Sequence, residues 1–101
     1  MEIVFEPNPV KEALNLRNHP GISFAIAQEV FIDPNQIVAE NYFVEGEQRY
    51  QIIGMTKGLV LLLVVYVDHS DPNVEVPQVI RIISARKAVA LEEELYEEQI
   101  S

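Results

Sequence analysis

The segment from Val79 to Ala88 places three cationic side chains, Arg81, Arg86 and Lys87, within seven consecutive residues. The whole chain has 7 Lys and Arg residues against 16 Asp and Glu residues, so this concentration of positive charge is unusual for it. A guanidinium group presents a planar fork of donors that suits a phosphate or carboxylate ligand. The same residues also allow a structural interpretation, in which the arginine stems cover a sheet edge and the charged heads pair with glutamates.

Other residues that could do chemistry are spread along the chain. Arg49 begins a β-rich segment beside Glu47, and it is either a second phosphate contact or simply the partner of Glu47. His19 ends a predicted helix, where a histidine can transfer protons or cap the last carbonyls. Lys11 lies on that helix, as a surface lysine or as part of a site. We expect His69, in an acidic turn without the spacing of an EF-hand, to be solvated and not a metal ligand.

Hydrophobic periodicity predicts the elements that must position these residues. Glu2–Glu6 alternates like a short strand, one helix begins at Asn8-Pro9 and ends at His19-Pro20-Gly21, and Ser23 caps a second helix. The remaining segments are four β-rich runs and a final helix: Ile37–Phe43, Arg49–Met55, Gly58–Val67, Val76–Ser84 and Lys87–Gln99. The order predicts an α+β fold with a short N-terminal strand, two short helices, a mainly antiparallel sheet of about four strands and a C-terminal helix.

Helical spacing also predicts which residues face the core. The apolar residues on the first helix are Val10, Ala13, Leu14 and Leu16. Those on the last helix are Ala88, Leu91, Leu95 and Tyr96. We expect both sets to pack against one face of the sheet.

Bulk properties restrict the class of protein. With 101 residues, 49% of them hydrophobic, the sequence predicts one folded domain over residues 1–101. The chain has no cysteine, which excludes disulfides and cysteine-based zinc sites. Its longest apolar run, Leu59–Val67, is about half the roughly 20 residues of a membrane helix, and we expect no signal peptide, no membrane contact and a cytoplasmic location.

The formal net charge of −9 opposes nucleic acid at long range and fits a cationic protein partner. The charge is uneven, however, because residues 49–91 carry five cations and three anions. This distribution allows a small basic site on an acidic protein.

Two blocks of sequence together resemble the BrnT family of bacterial toxins, ribonucleases of type II toxin–antitoxin pairs. The first block is Phe5–Phe24, with its turn residues, lysine, asparagine, His19 and Ser23-Phe24. The second is Glu47–Gly54, followed by Arg81–Ala88 and Tyr96-Glu97. Each motif is weak alone, but the ordered set covers nearly the whole chain.

The resemblance implies a RelE-like fold and a metal-independent RNA endonuclease that needs no cofactor. It also implies an antitoxin partner with a ribbon-helix-helix-type DNA-binding region, so that DNA is contacted only through the antitoxin. In such folds the RNA 2′-OH attacks the adjacent phosphate. With the resemblance, we expect Arg49, Arg81 and Arg86 to stabilise the phosphate and the transition state, and His19 and Lys11 to transfer protons.

The sequence departs from the family pattern at three places. Pro20 is inserted between His19 and Gly21, Asn18 stands where a basic residue is usual, and Val89–Glu94 is neutral or acidic where family members tend to be basic. The alternative is therefore a degenerate, catalytically weak toxin homologue that binds an antitoxin. A third hypothesis is a stand-alone acidic protein-binding module or homodimer.

Overall fold

The computed structural model describes residues 2–100, and at positions 40 and 41 it describes the backbone without the side chains. A short 3₁₀ helix, Glu29–Ile32, follows the second α-helix directly. The strands and α-helices in chain order are β1 (Ile3–Phe5), α1 (Pro9–Asn18), α2 (Phe24–Gln28), β2 (Ile37–Val44), β3 (Glu47–Met55), β4 (Leu61–Asp68), β5 (Gln78–Lys87) and α3 (Ala90–Ile100).

All five strands join one sheet in the order β1-β5-β4-β3-β2. β1 pairs parallel to β5, and the other neighbours are antiparallel. The α+β class, the mainly antiparallel sheet and the C-terminal helix are thus confirmed, and the short N-terminal strand is a member of the same sheet. Glu45 and Gly46 form the β2–β3 connection with positive φ at both positions, the geometry of the tightest hairpin turns.

The first sheet face is buried beneath α2 and the 3₁₀ helix. Phe31 is central to this core, because its ring makes edge contacts with Phe5 at 5.2 Å and with Tyr66 at 5.1 Å between centroids. Gly54 allows the 3₁₀ helix to approach β3, since a Cβ at this position would lie 2.6 Å from Val30 Cγ1. Ser23 caps α2 as predicted, with its Oγ accepting a hydrogen bond from the Ile26 N–H.

The face that α1 turns toward the sheet is polar, so the predicted apolar face of this helix is wrong. Val10 is 78% exposed, Leu14 and Leu16 are also exposed, and the buried residue is Asn15. Asn15 Oδ1 accepts a hydrogen bond from the Ala85 N–H of β5 at 2.9 Å. Asn8 Nδ2 donates to the Ile82 carbonyl at 2.8 Å. β1 pairs with β5 only at residues 78–80. The two asparagine side chains supply hydrogen-bond partners for the Ile82 carbonyl and the Ala85 N–H, which lie beyond that pairing.

At the C-terminus, the strand is longer and the helix is shorter than the sequence predicts. β5 continues through Lys87, three residues beyond the predicted end at Ser84, so Arg86 is a strand residue. In α3 only Tyr96 is buried, whereas Leu91 is 66% and Leu95 is 41% exposed, so the prediction that these leucines pack against the sheet is wrong. Among the described residues, no helix is long and apolar enough to cross a bilayer.

Candidate functional site

The second sheet face is covered by α3 at one end, so the helices lie on both faces and the prediction that they pack on one face is wrong. Tyr96 packs there against a small cluster that includes Ile53 and Leu63, with Met55 and Leu61 at its margin. Arg49 lies four residues before Ile53 on β3, which places it about 13 Å along the strand from this contact. The two ends of this face therefore have different surroundings.

At the end away from α3, two arginines flank one valine across three strands. Arg81 is the register partner of Val67, and Arg49 precedes Tyr50, the partner of Tyr66. The rings of Tyr50 and Tyr66 stack with their centroids 5.5 Å apart, on the first face, beneath α2 and the 3₁₀ helix. Because side chains alternate along a strand, Arg49 and Val67 lie on the second face. Arg81 lies between two buried isoleucines and faces the same way. We call Arg49, Val67 and Arg81 the arginine row.

The guanidinium groups of the arginine row have few protein partners. The Nε atoms of Arg49 and Arg81 are inaccessible to solvent and have no hydrogen-bond partner among the described residues. Arg81 forms no ion pair within that part of the chain, while Arg49 Nε lies 3.7 Å from Glu47 Oε1. Val67 is only 3% exposed, as expected if the arginine stems cover it. The inaccessible Nε atoms show that packing holds both guanidinium groups in place, and the terminal Nη groups, which are not among the inaccessible atoms, can bind an anion.

Next to the arginine row, His69 joins two carboxylates from distant parts of the chain. Its Nδ1 and Glu6 Oε1 share a hydrogen bond of 2.6 Å, and its Nε2 lies 3.8 Å from Glu47 Oε2. The backbone fixes the flanking positions, because the N–H of Glu6 donates to the Ile80 carbonyl and the N–H of His69 donates to the Val79 carbonyl. We call Glu6, His69 and Glu47 the histidine bridge.

Sequence reasoning missed the histidine bridge and assigned His69 to solvent. The His69 side chain is 37% exposed, but the hydrogen bond to Glu6 fixes its position. The signal that could have found it is weak: Glu6 follows β1, Glu47 begins β3 and His69 follows β4, so all three lie at strand ends. Only the strand order and register bring them together.

Arg86 lies at the α3 end of the same strand and is bound by a glutamate. Its Nη1 and Nη2 donate to the two carboxylate oxygens of Glu92 at 2.8 and 2.9 Å. This hydrogen-bonded pair raises the pKa of Arg86 and lowers the pKa of Glu92. Glu92 also accepts from the Val89 N–H, one of the free donors at the start of α3. Arg86 therefore anchors the N-terminus of α3.

His19 and Lys11 lie beside α1, away from the arginine row. Lys11 and His19 line a groove of about 250 Å³ between α1 and β5, together with Asn15, Asn18 and Ser84. His19 also lines an adjacent cavity of about 350 Å³ with Arg86 and Lys87. We call these two connected surfaces the α1 groove. The structure thus brings Arg49 and Arg81 together at one place, and His19, Lys11 and Arg86 along another.

Among the described side chains, no group of three or more histidine or acidic residues, the histidine bridge included, is placed to hold a metal ion. The arginine row and the histidine bridge bring together two guanidinium groups, two carboxylates and one imidazole. Such a set can bind a phosphodiester and move protons at neutral pH.

Comparisons with known proteins agree with this fold. The family model described as "Ribonuclease toxin, BrnT, of type II toxin-antitoxin system" matches residues 8–92. The chain therefore belongs to the BrnT family of ribonuclease toxins from type II toxin–antitoxin systems.

A crystal structure of the ribonuclease toxin BrnT from Brucella abortus is similar to this chain, with a TM-score of 0.54 and 21% sequence identity. The match covers 88% of this chain and 97% of that one, and it shows a shared fold. A search of curated proteins found no match to the sequence.

Proposed function

We propose that this protein is a metal-independent RNA endonuclease that inhibits growth and is neutralised by a cognate antitoxin. Membership of the BrnT family supports the toxin class and an antitoxin partner. The observation that carries the proposal is the arginine row, where packing holds two guanidinium groups on one face and Arg81 forms no ion pair within the described part of the chain. A phosphate supplies acceptor oxygens for such groups.

In this proposal Arg49 and Arg81 contact the scissile phosphate and stabilise the charge that develops when the 2′-OH attacks it. The reaction gives a 2′,3′-cyclic phosphate and a 5′-OH, and it needs neither a metal nor a cofactor. Arg86 supports the fold by holding α3. The α1 groove, with Lys11, His19 and Arg86, is the alternative location for RNA.

The antitoxin in this proposal is a small protein with a ribbon-helix-helix-type DNA-binding region, so DNA is contacted through the antitoxin and not through this chain. We place the action in the cytoplasm, where cellular RNA and such a partner are found. The acidic surface of the chain suits a cationic segment of the partner, because the net charge is −9.

A degenerate toxin that binds an antitoxin but cleaves little RNA is the second candidate. It is favoured by α3, whose exposed residues include Glu93, Glu94 and Glu97 in place of cations. It is also favoured by the charge around the arginine row, where Glu6 and Glu47 balance the two guanidinium groups. Long-range attraction of RNA is then weak, and binding depends on short-range contacts.

Growth on induction, combined with RNA cleavage by the purified protein in EDTA, separates the two candidates. We expect growth arrest and metal-free cleavage that leaves cyclic phosphate termini, and both should be lost in Arg49→Ala/Arg81→Ala. Co-expression of the product of a neighbouring ribbon-helix-helix reading frame should restore growth. Harmless expression together with intact RNA would refute the nuclease, and antitoxin binding in the same preparation would support the degenerate toxin.

A further inference from the structure

The two nitrogens of His69 have different surroundings. Nδ1 is occupied by Glu6 Oε1 at 2.6 Å, which fixes the ring orientation and the tautomer. Nε2 faces Glu47 Oε2 at 3.8 Å, beyond hydrogen-bond distance. A histidine whose first nitrogen is held by a carboxylate and whose second is free is arranged for proton transfer through the second nitrogen.

The carboxylates on either side of His69 are neighbours of the two arginines. Glu47, which faces Nε2 through one oxygen, is 3.7 Å from Arg49 Nε through the other. Glu6 follows Phe5, the register partner of Ile80, and therefore lies next to Arg81 across β1 and β5. The imidazole, the carboxylate and the two phosphate-binding groups thus share one surface.

Side-chain exposure allows a substrate to reach the pair. The side chains of His69 and Glu47 are 37% and 43% exposed, so rotation can separate them and admit a phosphodiester. By contrast, α3 crosses the far end of the face and leaves this end accessible to an extended strand. An open sheet face suits a single-stranded RNA better than a closed pocket does.

We propose that His69 and Glu47 are the catalytic acid and base for cleavage of single-stranded RNA, with Glu6 as a positioning residue that acts through His69. This assignment rests on the nuclease function proposed above and places proton transfer on the sheet face instead of at His19 and Lys11.

The step balances without any further reactant. The Glu47 carboxylate takes the proton from the 2′-OH, and the 2′ oxygen forms a bond to phosphorus. The bond from phosphorus to the 5′ oxygen breaks, and that oxygen takes the proton from Nε2 of protonated His69. Arg49 and Arg81 hold the non-bridging oxygens while negative charge develops on them. The products are a 2′,3′-cyclic phosphate and a 5′-OH, and the reverse proton exchange with water restores both side chains.

The test compares two labelled oligoribonucleotides that differ at one atom. One has the normal 5′ oxygen at the scissile linkage, and the other has sulfur in its place, which leaves as a thiolate and needs no proton. On the oxygen substrate we expect His69→Gln and Glu47→Gln each to lose on the order of 100-fold or more in cleavage rate.

On the sulfur substrate, His69→Gln should recover to within about threefold of wild type, because the acid is no longer needed, and Glu47→Gln should stay slow. Glu6→Gln should follow His69→Gln with a smaller loss and the same recovery. Glu75→Gln, an exposed substitution in the loop before β5, is the matched control and should behave as wild type on both substrates. Recovery on sulfur also shows that the variant is folded.

Equal losses of His69→Gln on both substrates would overturn the assignment of His69 as the acid. Full activity of His69→Gln on the oxygen substrate would do the same, and a large loss in His19→Gln would then move proton transfer to the α1 groove. Wild-type protein that cleaves neither substrate would refute the proposed nuclease function itself, which separates that failure from a wrong catalytic pair.

Discussion

Arg81 and Arg86 belong to the same strand and the same sequence motif, but their surroundings differ. Arg86 gives both terminal nitrogens to Glu92 and fixes the start of α3. Arg81 forms no ion pair with any side chain that the structure describes, and its Nε lacks an acceptor there. The difference comes from the two ends of one sheet face: α3 crosses one end and supplies a carboxylate, and the other end remains open.

Two arginines of one cationic motif can therefore have different roles. A guanidinium that is already saturated by a carboxylate contributes to stability, whereas one with free donors can bind a ligand. Substitutions at the two ends should therefore affect different measurements, activity at the arginine row and unfolding at the α3 end.

The largest expected effect is at Arg81. Arg81→Ala should lower the rate of RNA cleavage by on the order of 100-fold, because one stabilising donor set for the developing phosphate charge is lost. Its free energy of unfolding should change by less than about 1 kcal/mol, mainly through lost cover over Val67. Cleavage kinetics and urea unfolding of the same preparation measure both. Arg81→Lys keeps the charge without the planar fork, so its cleavage rate should be intermediate. Wild-type activity in Arg81→Ala would contradict the role of Arg81 in phosphate binding.

At Arg86 the pattern should reverse. Arg86→Ala should lower the free energy of unfolding by about 1–2 kcal/mol, because it removes a two-pronged charged hydrogen bond that is partly exposed to solvent. Urea unfolding of Arg86→Ala, Glu92→Gln and the double variant gives the coupling energy between the two side chains. The losses should be less than additive, since either change breaks the same pair. Fully additive losses, or a loss of cleavage as large as that of Arg81→Ala, would contradict a purely structural role.

Tyr96 tests the other anchor of α3 through its pH dependence. Its hydroxyl donates to Asp33 Oδ2 at 2.6 Å, and burial together with this carboxylate raises the pKa of Tyr96 to about 12. Burial by itself would raise the pKa of Asp33, but hydrogen bonds from Tyr96 and from the Met55 and Asn35 N–H groups lower it below its ordinary value of 3.8.

The depressed Asp33 pKa stabilises the fold above the ordinary carboxyl pKa, and this stability is lost as the pH falls through the lower folded value. The raised Tyr96 pKa stabilises the fold below pH 10, and this contribution is lost as the pH rises toward about 12. Tyr96→Phe should cost about 1 kcal/mol at neutral pH. In this variant the loss of stability at acid pH should be smaller, and the loss of stability at alkaline pH should disappear. Urea midpoints from acid to alkaline pH check this, and unchanged pH profiles in Tyr96→Phe would contradict it. Cleavage at pH 7 should be preserved.

The smallest expected effect concerns the acidic outer surface of α3. Replacing Glu93, Glu94 and Glu97 together with glutamine should change the cleavage rate by less than about twofold at 0.15 M salt. The contact of α3 with Ile53 lies about 13 Å along β3 from Arg49 of the arginine row, more than the Debye length of roughly 8 Å. Cleavage measured at several salt concentrations checks this. A tenfold gain at 0.15 M salt would show that the acidic helix suppresses RNA binding and would favour the degenerate toxin.

Much of the fold follows from local patterns. The alternation in β1, the β-branched run of β4 and the Ser23 cap each depend on neighbouring residues, and all three are confirmed. The inward face of α1 could not be predicted by hydrophobicity, because Asn8 and Asn15 bind backbone groups of β5, more than 65 residues away. Their spacing of seven residues, two helical turns, is the only local sign.

The site was less predictable than the fold. Arg49, Arg81 and Arg86 were expected to act together. The structure brings Arg49 and Arg81 to one location, which depends on the order β5-β4-β3 that periodicity alone does not fix. The histidine bridge needs three strand ends in register, and no local pattern around His69 indicates that. Arg86 was grouped with Arg81 by sequence proximity, but Glu92, in the first turn of the following helix, accepts its hydrogen bonds.

NMR mapping of the RNA contact tests most directly whether the arginine row binds RNA. A single-stranded 2′-O-methyl oligoribonucleotide lacks the attacking hydroxyl, stays intact and can be titrated into the labelled protein. Binding at the arginine row should shift amide signals in residues 47–51, 66–69 and 79–82, and Arg81→Ala should abolish those shifts. Shifts confined to residues 11–19 and 84–87 would contradict RNA binding at the arginine row and would place RNA in the α1 groove.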